Sequence, residues 1–136
     1  MRKLISLLFA GAAGLAVPVA LGAAPASAQT PPSLVCQVIP GSAGVHSGIC
    51  GTRRATTNYV VDMGLANGPT TGLSWSTPSG YPVVAGCISS TPFCDLAARG
   101  SVDQDIVTSV TFTQDGVTQT LSVDAFIPAV CGTSFC

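Results

Sequence analysis

The chain has 136 residues, of which only 8% are charged, and this length suits one small domain behind an export signal. Five Lys and Arg against six Asp and Glu give a net charge of −1. So few basic residues cannot neutralise a run of phosphates or hold an anionic lipid surface, and we therefore expect no nucleic acid and no membrane among the partners of the processed protein.

Residues 1–28 have the pattern of a secretory signal peptide. Arg2-Lys3 gives a basic start, Leu4 to Ala24 is uncharged, and Ala26-Ser27-Ala28 supplies the small residues that cleavage requires. An uncleaved membrane anchor is the alternative, since the uncharged run is long enough to span a bilayer. Cleavage after Ala28 would release residues 29–136 as a single secreted, extracellular domain with three arginines and six aspartates, a net charge of −3.

The predicted mature domain contains all six cysteines, and an even number in a short exported chain indicates three disulfide bonds rather than a zinc site. Cys87 and Cys94 close a short loop that contains proline, and we predict that they pair. Nearest-neighbour pairing would join the others as Cys36–Cys50 and Cys131–Cys136. The alternative is a crossed pattern that ties the N-terminal pair to the C-terminal pair, because first and last strands often adjoin in sandwiches.

The mature chain is predicted to begin with an extended lead-in, because Pro31-Pro32 cannot donate to a strand ladder. Packing is expected to begin near Leu34. The Gly- and Ser-rich stretch from Gly41 to Gly51 predicts an irregular loop closed by a disulfide. Alternating residues predict the first clear strand over Thr57 to Leu65. Its apolar face comprises Tyr59, Val61, Met63 and Leu65.

Shorter strands follow this one. Leu73 to Ser76 repeats the alternation, with Leu73 and Trp75 on one side, and Pro78-Ser79-Gly80 ends the strand. Two further short strands are predicted over Tyr81 to Ala85 and Phe93 to Ala98.

A hairpin from Asp105 to Ile127 is the strongest local pattern in the sequence. Asp115-Gly116 is a favourable two-residue turn, and it places Gln114 opposite Val117. In this register the apolar residues of both strands fall on one side of the hairpin. They are Ile106, Val110 and Phe112 on the first strand, and Leu121, Val123, Ala125 and Ile127 on the second.

The opposite side of this hairpin carries hydroxyl groups. The register pairs Thr111 with Thr120, Thr113 with Thr118, and Ser109 with Ser122. Threonine favours strands and keeps a face soluble without charge. We therefore expect hydroxyl groups, in place of Lys and Glu, to keep this surface soluble.

Six or seven short strands separated by turn residues, with no amphipathic helical stretch, predict an all-β fold, specifically an immunoglobulin-like antiparallel β-sandwich. The segments Leu73–Gly80 and Ile127–Cys136 resemble small uncharacterised secreted proteins of high-GC bacteria. The order of elements is similar to immunoglobulin-like modules of the polycystic-kidney-disease type. This resemblance implies export and the sandwich fold.

We predict no catalytic, metal or cofactor site, and hence no enzyme. His46 adjoins Ser47, but a serine nucleophile needs a base held by a third group in a closed cleft. Asp103 and Asp105 would supply only two of the six to eight oxygens that calcium takes. Three aromatic residues could stack on a sugar, but two of them lie on apolar strand faces and are expected in the core. These three are Trp75, Tyr59 and Tyr81.

The segment between Cys87 and Cys94 is the candidate binding loop. It consists of Ile88, Ser89, Ser90, Thr91, Pro92 and Phe93. A cysteine-closed ring with Ser followed by Pro resembles the reactive loops of Bowman-Birk-type protease inhibitors. The resemblance implies that Ser89 precedes the target bond, that Ser90 and Thr91 follow it in an extended segment, and that Pro92 stiffens the ring.

We expect a monomeric, non-enzymatic domain that acts by surface contact with an extracellular protein or polymer. The competing class is a small-molecule carrier, since acidic sandwiches with short-loop disulfides are similar to the neocarzinostatin apoprotein type, and Cys87 to Ala98 resembles part of that family. A cleft lined by apolar side chains would favour the carrier, whereas a filled core would favour the contact module.

Overall fold

The alternation of apolar and polar residues produces β-strands throughout the part of the chain that the computed structural model describes, residues 29–42 and 44–136. The predicted signal peptide and its cleavage site lie outside these residues. The longer strands are β1 (Ser33–Ile39), β4 (Asn58–Ala66), β7 (Phe93–Arg99), β8 (Gln104–Gln114) and β9 (Val117–Ile127). The shorter ones are β2 (His46–Ser47), β3 (Ile49–Gly51), β5 (Ser74–Ser76), β6 (Val83–Gly86), β10 (Val130–Cys131) and β11 (Ser134–Phe135).

The prediction of an all-β fold is therefore confirmed, although the described residues form eleven strands rather than six or seven. Three of the additional strands have only two residues, and such short pairings leave no periodic pattern in a sequence. No helix in this part of the chain is long and apolar enough to cross a membrane.

The strands form two open sheets. The first sheet has the order β2-β1-β4-β7-β6, and all of its neighbours are antiparallel. The second sheet has the order β3-β9-β8-β5, in which β3 runs parallel to β9 and the other pairs are antiparallel. The ribbon of β10 and β11 follows separately.

One hydrophobic core lies between the two sheets, because residues that alternate along the longer strands are buried. The first sheet contributes Leu34, Cys36, Val38, Tyr59, Val61, Met63, Leu65, Cys94, Leu96 and Ala98. The second contributes Cys50, Ile106, Val110, Phe112, Val123, Ala125 and Ile127, and Leu73 enters from the loop before β5. The apolar faces predicted for Thr57–Leu65 and for the hairpin are thus both confirmed.

The register of the β8–β9 hairpin is also confirmed. Gln114 lies opposite Val117 across a two-residue turn, and Val110 lies opposite Leu121. Asp115 has φ of 52° and Gly116 has φ of 77°, the left-handed backbone that Asp and Gly tolerate in such turns. Turn chemistry and side-chain pattern therefore specify the same pairing.

The nearest-neighbour disulfide pattern is confirmed, and the crossed alternative is wrong. The bonds are Cys36–Cys50, Cys87–Cys94 and Cys131–Cys136, and the described residues contain no free cysteine. Because Cys36 lies on β1 and Cys50 on β3, the first bond joins the two sheets through the core.

The stretch from Gly41 to Gly51 is more ordered than predicted, since it contains β2 and β3. Residues His46 and Ser47 pair with the first sheet, whereas Ile49 and the next two residues pair with the second. The chain changes sheets at Gly48, whose φ of 92° favours glycine. A Gly-rich pattern marks this crossing as a turn but does not reveal the two partners.

Candidate functional site

The outer face of the second sheet has two halves. In the half next to the hairpin turn, the side chains are hydroxyls arranged in rows, as predicted. Ser109 lies opposite Ser122, and two threonine pairs follow. Thr111 and Thr120 share a hydrogen bond of 2.8 Å, and the hydroxyls of Thr113 and Thr118 lie 3.0 Å apart. The donors and acceptors of these hydroxyls thus pair with one another across the strands. The strand β5 extends the rows with Ser74 and Ser76.

The other half of this face carries three exposed apolar side chains, which we call the exposed patch: Ile49, Val107 and Phe126. The exposed Asp105 lies opposite Phe126 at its margin. These side chains are 71%, 55% and 41% exposed. They come from three adjacent strands, because Ile49 of β3 and Val107 of β8 both lie beside Asp124 of β9, and Phe126 is the next outward residue on β9. Ile49 and Phe126 also line a shallow cavity of about 340 Å³, together with Arg53. Contiguous exposed apolar side chains are typical of contact surfaces.

A carboxylate lies inside the exposed patch. The residue Asp124 has Ile49 directly on one side and Val107 directly on the other. Its Oδ1 atom is shielded from solvent and has no hydrogen-bond partner. A buried acceptor without a donor costs free energy, so Asp124 is a destabilising polar group among apolar neighbours.

The position of Ile49 in the patch follows from two local features. The Cys36–Cys50 disulfide fixes β3 against the core, and the backbone N–H of Asp124 donates to the carbonyl of Gly48 at 2.8 Å. The sequence pattern does not predict the patch, because a Gly- and Ser-rich stretch indicates an irregular loop. The available signal was the apolar Ile49 beside a buried cysteine in an otherwise small and polar segment.

The candidate loop between Cys87 and Cys94 is a turn and not an extended segment, so the predicted extension is wrong. The N–H of Thr91 donates to the carbonyl of Ile88 at 3.2 Å, which places Ser89 and Ser90 at the corners of a β-turn. The carbonyl of Ser89 is also occupied, since it accepts from the N–H of Leu73 at 3.1 Å.

The remaining part of this loop packs against its neighbours. The carbonyl of Thr91 accepts from Trp75 Nε1 at 3.1 Å, and the carbonyl of Pro92 accepts from the N–H of Leu65 at 2.7 Å. Phe93 is 40% exposed and lies across Gly86. These bonds attach the loop to three other parts of the fold, which gives it a structural role.

The outer face of the first sheet carries a pair of carboxylates. Asp62 on β4 lies directly opposite Asp95 on β7, and Asp62 Oδ2 accepts from Gln37 Nε2 at 2.7 Å. The pKa of Asp95 is raised to about 6 by burial first, and then by the charge of Asp62 and a hydrogen bond to Asp62. The pair therefore holds a proton at mildly acidic pH.

The residues weighed as catalytic or metal-binding candidates do not come together in one site. His46 is exposed on β2. Asp103 accepts from the backbone N–H of Ala129 at 2.6 Å, which fixes the chain before β10. No group of three His, Cys, Asp or Glu that could hold a metal occurs among the described residues.

The three aromatic residues do not form one platform. Tyr59 is buried, with its hydroxyl donating to the carbonyl of Arg54 at 2.8 Å. Trp75 is half-buried against the core, as is Tyr81. The sequence-based placement of Tyr59 in the core is confirmed.

Comparison with protein-family models, with curated proteins and with solved structures gave no significant match.

Proposed function

We propose that this protein is a secreted, non-enzymatic contact module with an immunoglobulin-like sandwich fold. The strand order supports the fold. Immunoglobulin constant-type domains have one sheet of strands A, B, E and D and another of G, F and C. We letter the strands A to G in chain order, starting with β1 and continuing from β4 to β9. The order β1-β4-β7-β6 then reads A-B-E-D, and β9-β8-β5 reads G-F-C. Trp75 on β5 corresponds to the core tryptophan of strand C.

Export is supported by the predicted signal peptide and by three disulfides that together use every cysteine of the described residues. Disulfides of this kind persist in oxidising compartments and are rare in the cytosol. The monomeric state and the absence of a cofactor remain part of the proposal.

The exposed patch around Asp124 is the observation that carries the contact function. Burying three exposed apolar side chains is favourable, and the half-buried Asp124 between them adds a carboxylate to the surface. A protein partner with an apolar surface and a central N–H donor, such as an arginine or an amide, would satisfy both features. Polar contacts enclosed by apolar ones are the usual arrangement of a binding hot spot.

The two competing functions receive less support. The buried side chains of both sheets form one cluster, and the cleft beside Asn58 and Arg99 contains a guanidinium, whereas a carrier of this type would need an apolar cleft. An inhibitor loop would need a free, extended target bond, whereas Ser89 and Ser90 lie in a turn and the Ser89 carbonyl is occupied. A protease panel tests the inhibitor directly, and we expect no inhibition.

The contact function can be tested by capture from the producer's own secretome and wall polymers on the immobilised, oxidised protein. The variant carries Val107→Thr and Phe126→Thr, which keep strand-forming residues but remove the apolar surface. The control carries Val83→Thr and Val84→Thr, because these valines on β6 are 53% and 57% exposed and lie far from the patch in the sheet order.

We expect the patch variant to lose the captured partner and the control to retain it. Equal capture by both variants, or loss by the control alone, would contradict the proposal. Thermal melting of both variants distinguishes lost contact from lost folding.

A further inference from the structure

A cleft lies where β4 begins and β7 ends, apart from the exposed patch. Two adjoining cavities of about 410 Å³ and 570 Å³ share Asn58, Arg99 and Ser101 as lining residues. Asn58 lies directly opposite Arg99 in the first sheet, and Ser101 follows in the turn to β8. The register therefore brings an amide, a guanidinium and a hydroxyl to one concavity.

The charge of this cleft is positive in an otherwise acidic domain. Arg99 is one of three arginines in the predicted mature chain, against six aspartates. None of the described residues that line the two cavities carries a carboxylate. A guanidinium without a neutralising neighbour recognises a planar anion, and a carboxylate matches its paired N–H donors.

One wall of the smaller cavity is aromatic and apolar. Tyr81 and Pro82 line it together with Tyr59, and the Tyr59 hydroxyl is occupied by the Arg54 carbonyl and by the N–H of Thr56. Tyr81 therefore supplies the free aromatic group. An aromatic ring next to hydroxyl and amide groups is suited to the apolar face and the hydroxyls of a sugar ring.

The cleft is held in place before any ligand binds. The Gln104 side chain donates to the carbonyl of Arg99 and to that of Val102. The N–H of Gly100 donates to the carbonyl of Thr57 at 3.2 Å, and the carbonyl of Gly100 accepts from the N–H of Val130 at 2.8 Å. A side chain at Gly100 would collide with Thr56, Tyr59 and Val130, so the turn packs closely on both sides. Binding to such a fixed site costs little ordering entropy.

We infer that this cleft is a binding site for a carboxylated sugar, a uronic acid, with Arg99 holding the carboxylate and Tyr81 stacking on the ring. This site is independent of the proposed contact function. It needs neither the exposed patch nor the partner that the patch would bind.

Titration of the oxidised, ¹⁵N-labelled protein with methyl glucuronide, followed by amide chemical shifts, tests the inference. The neutral methyl glucoside and acetate separate the contributions of the carboxylate and the ring. We expect millimolar binding of the glucuronide, with shifts at Asn58, Tyr81, Arg99 and Ser101. Neither control compound should bind as tightly.

Arg99→Gln should weaken glucuronide binding by about tenfold, as expected for the loss of one charged hydrogen-bonded contact. Arg54→Gln is the matched control, because Arg54 is exposed but lines neither cavity, and it should leave binding unchanged. Equal binding of the glucoside, shifts outside the cleft, or an unchanged affinity of Arg99→Gln would overturn the inference. Tighter binding of N-acetyl-Ala-Ala, whose carboxylate belongs to a peptide end, would overturn the sugar class.

Discussion

The outer faces of the two sheets carry similar residues in different surroundings. Each has a phenylalanine beside a glycine: Phe93 with Gly86 on the first face, and Phe126 with Gly51 on the second. On the first face the carboxylates of Asp62 and Asp95 lie opposite each other and interact directly. On the second, Asp124 lies between the apolar side chains of Ile49 and Val107. Each face has one buried carboxylate oxygen without a hydrogen-bond partner, on Asp95 and on Asp124.

This difference separates a carboxylate that has a second carboxylate beside it from one that has apolar neighbours on both sides. On the first face, Asp62 accepts from Gln37 and the raised pKa of Asp95 keeps a proton on the pair at mildly acidic pH, although Asp95 Oδ1 also has no hydrogen-bond partner. The second face pairs its own threonine hydroxyls but leaves the carboxylate of the exposed patch unpaired. Exposure alone would not distinguish the two, since Phe93 and Phe126 are 40% and 41% exposed.

The largest effect that we predict comes from the glycine of the first face. Gly86 has φ of 68°, and an added Cβ would overlap the carbonyl oxygen of Phe93 and approach its ring within 2.7 Å. We expect Gly86→Ala to destabilise the domain by about 3 kcal/mol, from backbone strain together with this overlap. Thermal or urea unfolding measures it.

Gly51→Ala is the matched control on the second face. There the added Cβ would only approach the carbonyl of Phe126 at 3.4 Å, and the backbone is not left-handed. We expect a small change in the free energy of unfolding. A large loss at Gly51 with none at Gly86 would contradict the packing described for both faces.

The acid pair of the first face should make stability depend on pH. Because the pKa of Asp95 rises from 3.8 to about 6 on folding, protons bind the folded state more tightly between these values. The free energy of unfolding should therefore be highest below about pH 4 for this pair and should decrease as pH rises toward 6. We expect a change of about 1 kcal/mol, since solvent screens a pair that is only partly buried.

The measurement is the midpoint of urea unfolding from pH 4 to pH 7. Asp95→Asn should remove the decrease, because asparagine does not titrate and can still donate a hydrogen bond to Asp62. Two other groups influence the titration of Asp95: Asp62 on β4, and the neutral Gln37, which donates to Asp62. A decrease that persists in Asp95→Asn would exclude the pair as its cause.

The threonine pairs of the second face should contribute least to stability. Removing the hydroxyl of Thr111 breaks its 2.8 Å bond to Thr120 on an exposed surface. Thr111→Ala should cost about 0.5 kcal/mol, in the range of exposed cross-strand pairs. A double-mutant cycle with Thr120→Ala isolates the coupling, and a coupling near zero would mean that water replaces the bond.

The sequence predicts the hairpin and misses the exposed patch for a physical reason. Strand register around Asp115-Gly116 depends on adjacent residues, whose alternation and turn chemistry are both local. The patch brings together Ile49 and Phe126, which are far apart in the chain. They lie on β3 and β9, which pair in parallel. That pairing depends on the inter-sheet disulfide and on the change of direction at Gly48.

The Cys87–Cys94 loop illustrates a related limit. The cysteine spacing correctly predicts the disulfide, because a short ring leaves few alternatives. It does not predict the conformation within the ring, which is set by bonds from Leu65, Leu73 and Trp75. Those residues lie on other segments, so the loop sequence alone resembles an extended inhibitor segment although it folds as a turn.

The central claim is that the second face, at its exposed patch, is the contact surface. Hydroxyl-radical footprinting of the captured complex against the free protein tests it most directly, since it reports side-chain exposure on both faces at once. We predict reduced labelling of Ile49, Val107 and Phe126, with unchanged labelling of Val83 and Phe93 on the first sheet. Protection of Val83 and Phe93 with the patch still labelled would contradict the claim.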